Sequence, residues 1–335
     1  MAVTIKDIAK VANVSHTTVS RALNNSSFIK LETRRKILAL AKEMNYVPNY
    51  NAKSLVMKKS YIIGLFFTTI TSGTSSSFFT EVLNAVISEL DENYNLAIRG
   101  LDTYEDFSSV VSEKFDGIIV MSQKVEDDKF IQYVKEKEIP MVVLNRTIDD
   151  KEIINISSPD RESVEMAVTY LIENNHEKIA CISGISGFKS TEERRAGYLN
   201  ALRANNILVR PDYLVSGKYT MESGYSAMKA LLKLSDMPTA VFCSNDDMAI
   251  GAIRAAADAG LHVPTDISIM GFDSIASSDF TTPRLTTVRR KVEEISQLAA
   301  KKLIMLINNE TSSGEQTILD AVLVERESVI NLKKN

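Results

Sequence analysis

The chain has 335 residues, 44% apolar and 24% charged, a composition that excludes a disordered chain and suits a soluble globular protein of two or three domains. It has no apolar run near the roughly 20 residues that cross a bilayer, and MAVTIKDIAKVANVS lacks the apolar core of a secretory signal, so no membrane partner and a cytoplasmic location are expected. Residues 1–60 carry eleven Lys and Arg against three Asp and Glu, whereas residues 61–335 carry 28 against 40, the pattern of a basic head that meets a polyanion on an acidic body.

Thr4 opens a Thr-x-x-Asp capping pattern before Ile5, Ile8 and Ala9, which predicts a first helix over 5–12. Asn13-Val14 ends it, and Ser15 caps a second helix in SHTTVSRALNN with Val19, Ala22 and Leu23 facing inward. After a turn at Asn24 to Ser27, a third helix is expected from about Leu31 to Asn45, with Ile37, Leu40, Ala41 and Met44 on one face. Two short helices braced by a third form a helix-turn-helix, whose second helix fits the major groove. His16, Thr17 and Arg21 then point outward. Arg21 can give guanine a bidentate pair, and His16 and Thr17 can reach base edges. Ser15, Thr18, Ser20 and Asn24 suit phosphate contacts, and Thr4 is a further DNA-binding candidate. A plain three-helix bundle would show the same periodicity, and the basic charge favours the DNA reading.

In YVPNYNAKSLVMKKSY, residues 46–61, Pro48 stops the third helix. The stretch NAKSLVMK offers about two helical turns, short of the roughly 12–15 residues a lone helix needs in water. It should fold only with support.

From Tyr61 apolar strand runs alternate with amphipathic helices: IIGLFF, a helix around FFTEVLNAVISEL, then NLAIRG, DGIIVM and PMVVLN. After Asn155 the pattern resumes through SVEMAVTYLIEN, KIACISG, TEERRAGYLNALRAN, YLVSG, ESGYSAMKALLKL, TAVFCSN, DMAIGAIRAAADAG and ISIMGFD. This predicts parallel α/β sheets in two similar lobes. Ligands of such sheets bind beyond the carboxyl ends of the strands. The candidates are TITSGTSSS, Asn145-Arg146, Ser183 to Ser190, Asn245-Asp246 and Asp273. Cys181 and Cys243 lie in apolar runs and read as packing, and His16, His176 and His262 have no metal-ligand spacing. No cofactor or metal is expected.

The segments TIKDIAKVANVSHTTVSRALNN and VPTDISIMGFDSIASSDFTTPRLTTV resemble the LacI/GalR family of bacterial regulators, and the resemblance spans essentially the whole chain. It implies an all-α helix-turn-helix head over 1–46, a hinge helix over 47–60, and a two-lobed periplasmic-binding-protein type I core of doubly wound parallel sheets over 61–335. Operator reading would fall to His16, Thr17 and Arg21, and Leu55 of paired hinge helices would wedge the minor groove open. Lys53 stands where relatives usually carry arginine, keeping the charge without the planar fork. Effector contacts implied by the family are Asp273, Asn245, Arg194 and Tyr219. Asn145 replaces a common aspartate, and Ser72, Thr74 and Ser76 sit in a first-lobe loop that departs from the usual pattern.

The expected function is a repressor that binds a pseudo-palindromic operator as a homodimer under control of a sugar or sugar derivative. A phosphorylated carrier protein as co-regulator stays open. The chain ends in LKKN without the leucine-rich helix of tetrameric relatives, so a dimer is expected. A solute-binding protein would share the core but not the basic head. An enzyme finds no support, since G-x-G-x-x-G, Walker, G-x-S-x-G and H-E-x-x-H patterns are missing.

Overall fold

A computed structural model describes residues 3–23, 26, 28–46, 59–71, 73–311 and 314–333. Contacts divide the chain into residues 1–59 and 60–335, and each unit is described by itself.

The head holds α1 (Ile5–Ala12), α2 (His16–Leu23) and α3 (Leu31–Glu43). The Asp7 carboxylate accepts the Thr4 backbone N–H at 2.9 Å and the Thr4 hydroxyl at 2.7 Å, which ties down the first turn. Asn13, at φ 53°, takes the left-handed turn that ends α1. Ser15 Oγ accepts the Thr18 N–H at 3.0 Å and caps α2. Eight-residue helices do not persist alone, so their stability comes from the shared core of Ile8, Ala9, Ala12, Val19, Ala22, Ile37 and Ala41. Leu23, Leu40 and Met44 pack at its edge. The third helix stops at Glu43, slightly before the expected end, and Asn45 turns left-handed at φ 51°.

In the larger unit, β1 (Ile62–Phe67), β2 (Asn95–Gly100), β3 (Gly117–Met121), β4 (Met141–Leu144), β5 (Ile154–Ser157) and β11 (Gln316–Ile318) form one parallel sheet, ordered β11-β5-β4-β3-β1-β2. A second parallel sheet joins β6 (Ile179–Ser183), β7 (Leu214–Ser216), β8 (Ala240–Cys243) and β9 (Ser268–Met270) in the order β7-β6-β8-β9. Between them in sequence lie α4 (Ser76–Ser88), α5 (Asp128–Glu136), α6 (Asp160–Glu173), α7 (Lys189–Ala204), α8 (Met221–Leu231), α9 (Asp246–Asp258) and, after β10 (Thr287–Arg289), α10 (Val292–Ile307). β10 pairs antiparallel with β12 (Val322–Val324).

Both faces of each sheet are covered, as parallel strands require. Leu65 and Phe67 of β1 face one cluster with Val82 and Leu303, while Phe66 faces the other with Phe130 and Val143. In the second lobe Cys243 packs with Ile182 and Met248, and Cys181 with Phe242 and Phe272. The two thiols thus sit in separate clusters; burial pushes Cys181 up to about 12 and Cys243 well above its ordinary value. Both are packing residues.

The lobes are not consecutive in sequence. The chain crosses into the second lobe after β5. It returns when α10 buries Val292, Ile295, Ala299 and Leu303 in the first-lobe core, and β11 adds to β5 as an edge strand. The strand-like run ILDAVLVERESVI is therefore split, with only its first residue in β11 and Val322–Val324 in β12. β5, α5 and α10 were not foreseen. In β5 the polar Asn155 hides the pattern, since its side chain is buried to serve the turn after β4: it accepts from Ile148 N and donates to Val143 O and Arg146 O. Among the described residues no helix is long and apolar enough to cross a membrane.

Candidate functional site

On α2, burial of Val19 and Ala22 leaves His16, Thr17 and Arg21 exposed, with Ser20 half-buried beside them. These four residues at positions 16, 17, 20 and 21 form one outward stripe. The hydroxyls of Thr4, Ser15 and Thr18 have local partners: Thr4 donates to Asp7, and Ser15 Oγ lies 2.8 Å from Thr18 Oγ1. Lys6, Lys10, Asn13, Ser15 and His16 line one open groove where α1 meets the start of α2. The two lysines, four residues apart on α1, add charge beside the free N–H groups of that helix start. The sequence reading had not singled them out, although their spacing was visible. Asn24, Lys53 and Leu55 lie outside the described residues, as do Ser72 and residues 47–58 of the hinge expected over 47–60.

In the larger unit a narrow, partly open cavity lies between the carboxyl ends of the two sheets. Gly73, Ser75 and Phe78 at the start of α4, with Gln123 and Asn145, supply its first-lobe wall. Ser190, Arg194, Tyr219, Asn245 and Asp273 supply the second-lobe wall, and Arg290 enters from the return crossover after β10. Asn145, Arg194, Tyr219, Asn245 and Asp273 from the sequence thus meet in one place.

Each is held differently. Asn245 is the N-cap of α9: its Oδ1 accepts from Met248 N at 3.0 Å, and its Nδ2 donates to Tyr219 O at 3.1 Å. Much of its hydrogen-bonding capacity therefore positions Tyr219. That tyrosine adopts a left-handed φ of 62°, shares a 2.6 Å hydrogen bond with Thr191 Oγ1, and stacks on Phe188 at 6.3 Å between ring centres. Gly184 makes room for it, because an added Cβ would come 2.0 Å from Tyr219 Cζ.

Arg194 is buried over the Phe272 ring, 4.2 Å from its centre. Its Nε donates to Asp160 Oδ2 at 2.9 Å and its Nη1 to Ser244 O at 2.5 Å, leaving Nη2 at 3.8 Å from Asp273 Oδ1. Burial alone would raise the Asp160 carboxyl, but the charges of Arg194 and Arg290 prevail and hold it below its usual range. Ser158 Oγ donates to the same carboxylate at 2.7 Å. Asp273 goes the other way. Burial pushes its carboxyl up, and the two arginines offset this only in part. Its Oδ1 is buried without a hydrogen bond.

Two first-lobe candidates do not line this cavity. Thr74 turns its hydroxyl onto Thr69 O at 2.7 Å, and Ser76 faces a separate open pocket with Glu81 and Glu293. Successive residues entering a helix point in different directions, so Ser75 faces inward and caps α4 by accepting from Phe78 N. Asn145, at φ 77°, accepts a 3.0 Å hydrogen bond from Arg290 Nη2. Gln123, Phe78 and Arg290 were missed. Gln123 could have been found as a polar residue just after β3; Arg290 carried no such signal.

Across the cleft, Lys189 N donates to Gln123 O at 2.7 Å, and the hydroxyls of Ser75 and Ser77 offset in part the rise that burial gives the Asp247 carboxyl. Among the described residues no cluster of His, Cys, Asp and Glu could hold a metal ion.

Two family models match: bacterial regulatory proteins of the lacI family over residues 4–49, and a periplasmic binding protein-like domain over residues 168–329. The chain is 54% identical over 330 residues to a probable HTH-type transcriptional repressor ExuR of Bacillus subtilis (strain 168), covering 98% of this chain and 99% of the relative. It is 34% identical to the HTH-type transcriptional repressor PurR of Erwinia tasmaniensis, covering 97% and 96%. Among solved structures it is similar to the lac repressor dimer bound to operator and the anti-inducer ONPF, with a TM-score of 0.84 and 26% identity over 98% of this chain and 100% of that one. It is also similar to a transcriptional regulator CelR–cellobiose complex, with a TM-score of 0.73 and 25% identity over 97% and 99%.

Proposed function

The chain belongs to the lacI family of bacterial regulatory proteins, and from that premise we propose that it is a repressor whose homodimer sets α2 of each copy into a half-site of a two-fold operator and whose cleft binds a small polyhydroxyl effector. Arg21, His16 and Thr17 read base edges, while Lys6, Lys10 and the start of α2 hold phosphates. Residues 47–60 act as the hinge, with Lys53 and Leu55 entering the minor groove from paired copies. The effector reading rests above all on Asp273: a buried carboxylate oxygen without a hydrogen bond, in a cavity between two lobes, suits a ligand hydroxyl. Tyr219 offers an apolar ring face beside it, and Arg194 and Asn245 fix the frame. Similar regulators solved with cellobiose and with ribose favour a sugar.

Effector changes DNA affinity only through its different affinities for two arrangements of the lobes. Asp160 begins α6 directly after the first crossover and is bonded to Arg194, so a ligand that draws on Arg194 acts on the segment that joins the lobes. A thermal-shift screen of the full chain against sugars, followed by operator binding with and without each hit, tests the reading. A hit that raises the melting temperature and changes operator affinity supports it. Hits that stabilise equally in Asp273→Ala contradict it.

A further inference from the structure

Arg290 is only 5% exposed, yet among the described residues its guanidinium makes a single hydrogen bond, to the neutral amide oxygen of Asn145. A guanidinium carries five N–H donors, and a buried one that stays charged requires acceptors for most of them. Its Nε is buried with no hydrogen bond, and its Nη1 stands 3.8 Å from both Asp160 Oδ2 and Asp273 Oδ1, outside hydrogen-bonding distance. Arg194 differs, because it already donates to Asp160 and Ser244 O. The cavity therefore has two arginines but only one under-bonded guanidinium, and it is not the one that the sequence motif points to.

The nearby acids do not supply what Arg290 lacks: Glu81 feels its charge but, among the described residues, makes no hydrogen bond or ion pair to it. Asp160 is taken by Arg194 and Ser158, and Asp246 by Thr287 Oγ1 and Ile275 N. The Asp247 carboxyl, raised by burial, is eased by the hydroxyls of Ser75 and Ser77. Among the described residues, Asp273 is the acid that keeps a buried, unpaired carboxylate oxygen, and that oxygen calls for a donor. An unpaired acceptor and a guanidinium short of acceptors at 3.8 Å ask for two kinds of ligand group side by side. A hydroxyl answers Asp273, and an acceptor-rich oxyanion answers Arg290 through charge-assisted bonds.

Resting on the effector reading above, we infer that the ligand of this cleft is an anionic sugar, whose carboxylate or phosphate oxyanion is bound by Arg290 next to a hydroxyl bound by Asp273. Arg290 is then a specificity-determining residue supplied by the return crossover.

Titration calorimetry on the full-length chain with matched probes tests this. D-glucose and D-galactose are compared with their uronates, in which a carboxylate replaces the C6 hydroxymethyl group, and with their 6-phosphates, in which phosphate esterifies the 6-hydroxyl. One of the anionic sets should bind at least about tenfold tighter than its neutral parents, and the set that does so identifies the oxyanion. Arg290→Gln should erase this anion-over-neutral ratio, and Arg290→Lys should keep part of it through its charge. A purely structural role for Arg290 would lower both affinities together and leave the ratio intact. Neutral sugars binding as tightly as anionic ones overturn the inference and leave the sugar-effector reading standing. Binding of neither kind overturns both. If Arg290→Gln does not fold, the ratio in the unsubstituted chain and in Arg290→Lys still decides.

Discussion

Arg194 Nε and Asp160 Oδ2 meet at 2.9 Å with both side chains at most 5% exposed, joining α7 to the first residue after the lobe crossover. This pair belongs to the frame of the cleft as much as to its ligand surface. Removing one partner leaves the other charged and buried, which costs about 3–5 kcal/mol. Asp160→Ala should lower core stability by that order in urea unfolding. A loss under about 1 kcal/mol would show the pair to be dispensable.

Asp273→Ala removes the unpaired acceptor without touching the head. Operator affinity without effector should be unchanged within about twofold, while the effector response disappears, since a change below about 0.5 kcal/mol is normal away from a binding surface. A dose–response curve that keeps its midpoint would exclude Asp273 from the effector contacts.

Gly184→Ala places a methyl 2.0 Å from Tyr219 Cζ, so the ring must leave its stack on Phe188. Overpacking of this kind costs about 1–3 kcal/mol. Effector affinity should fall while DNA binding persists. Equal effector affinity in the variant would show that the Tyr219 ring is not part of the ligand surface.

Burial, followed by the charge of Asp273, raises Glu81 to about 7. The folded state therefore binds a proton that the unfolded state releases near its ordinary value, and stability falls as pH rises from about 4.5 to about 7. Asp160, held low, has the opposite sign: its stabilisation is present above the usual carboxylate range and fades as pH falls through its lowered value. Melting temperatures of Glu81→Gln between pH 5 and 8 should be flatter than those of the unsubstituted chain. Identical slopes would remove Glu81 from the linkage.

The head was legible because its signals are local. Thr4 with Asp7, Ser15 with Thr18, and the apolar spacing of Val19 and Ala22 act within one helix turn. The same spacing puts Arg21 and His16 on the outer face of α2. In the core, strands such as Ile62–Phe67 announced themselves by apolar runs, and Asp273 and Asn245 by lying just after strands. What escaped depended on distant segments. The return of Val292–Ile307 to the first lobe is decided by packing against strands more than a hundred residues earlier, and no local period encodes it. Arg290 reaches the cavity only because of that return. Ser75 faces inward rather than Thr74 or Ser76 because the loop enters α4 at one particular turn, a detail that a serine-rich run conceals.

The central claim is that α2 reads DNA, and Arg21 tests it most directly. Equilibrium binding of the full chain to a selected operator and to a scrambled duplex, at one fixed salt concentration, gives a specificity ratio. Arg21→Ala should cut that ratio by about 1–3 kcal/mol per half-site, while binding to the scrambled duplex weakens much less. An unchanged ratio, with both duplexes weakened alike, would mean that Arg21 only touches phosphate and that sequence is read elsewhere.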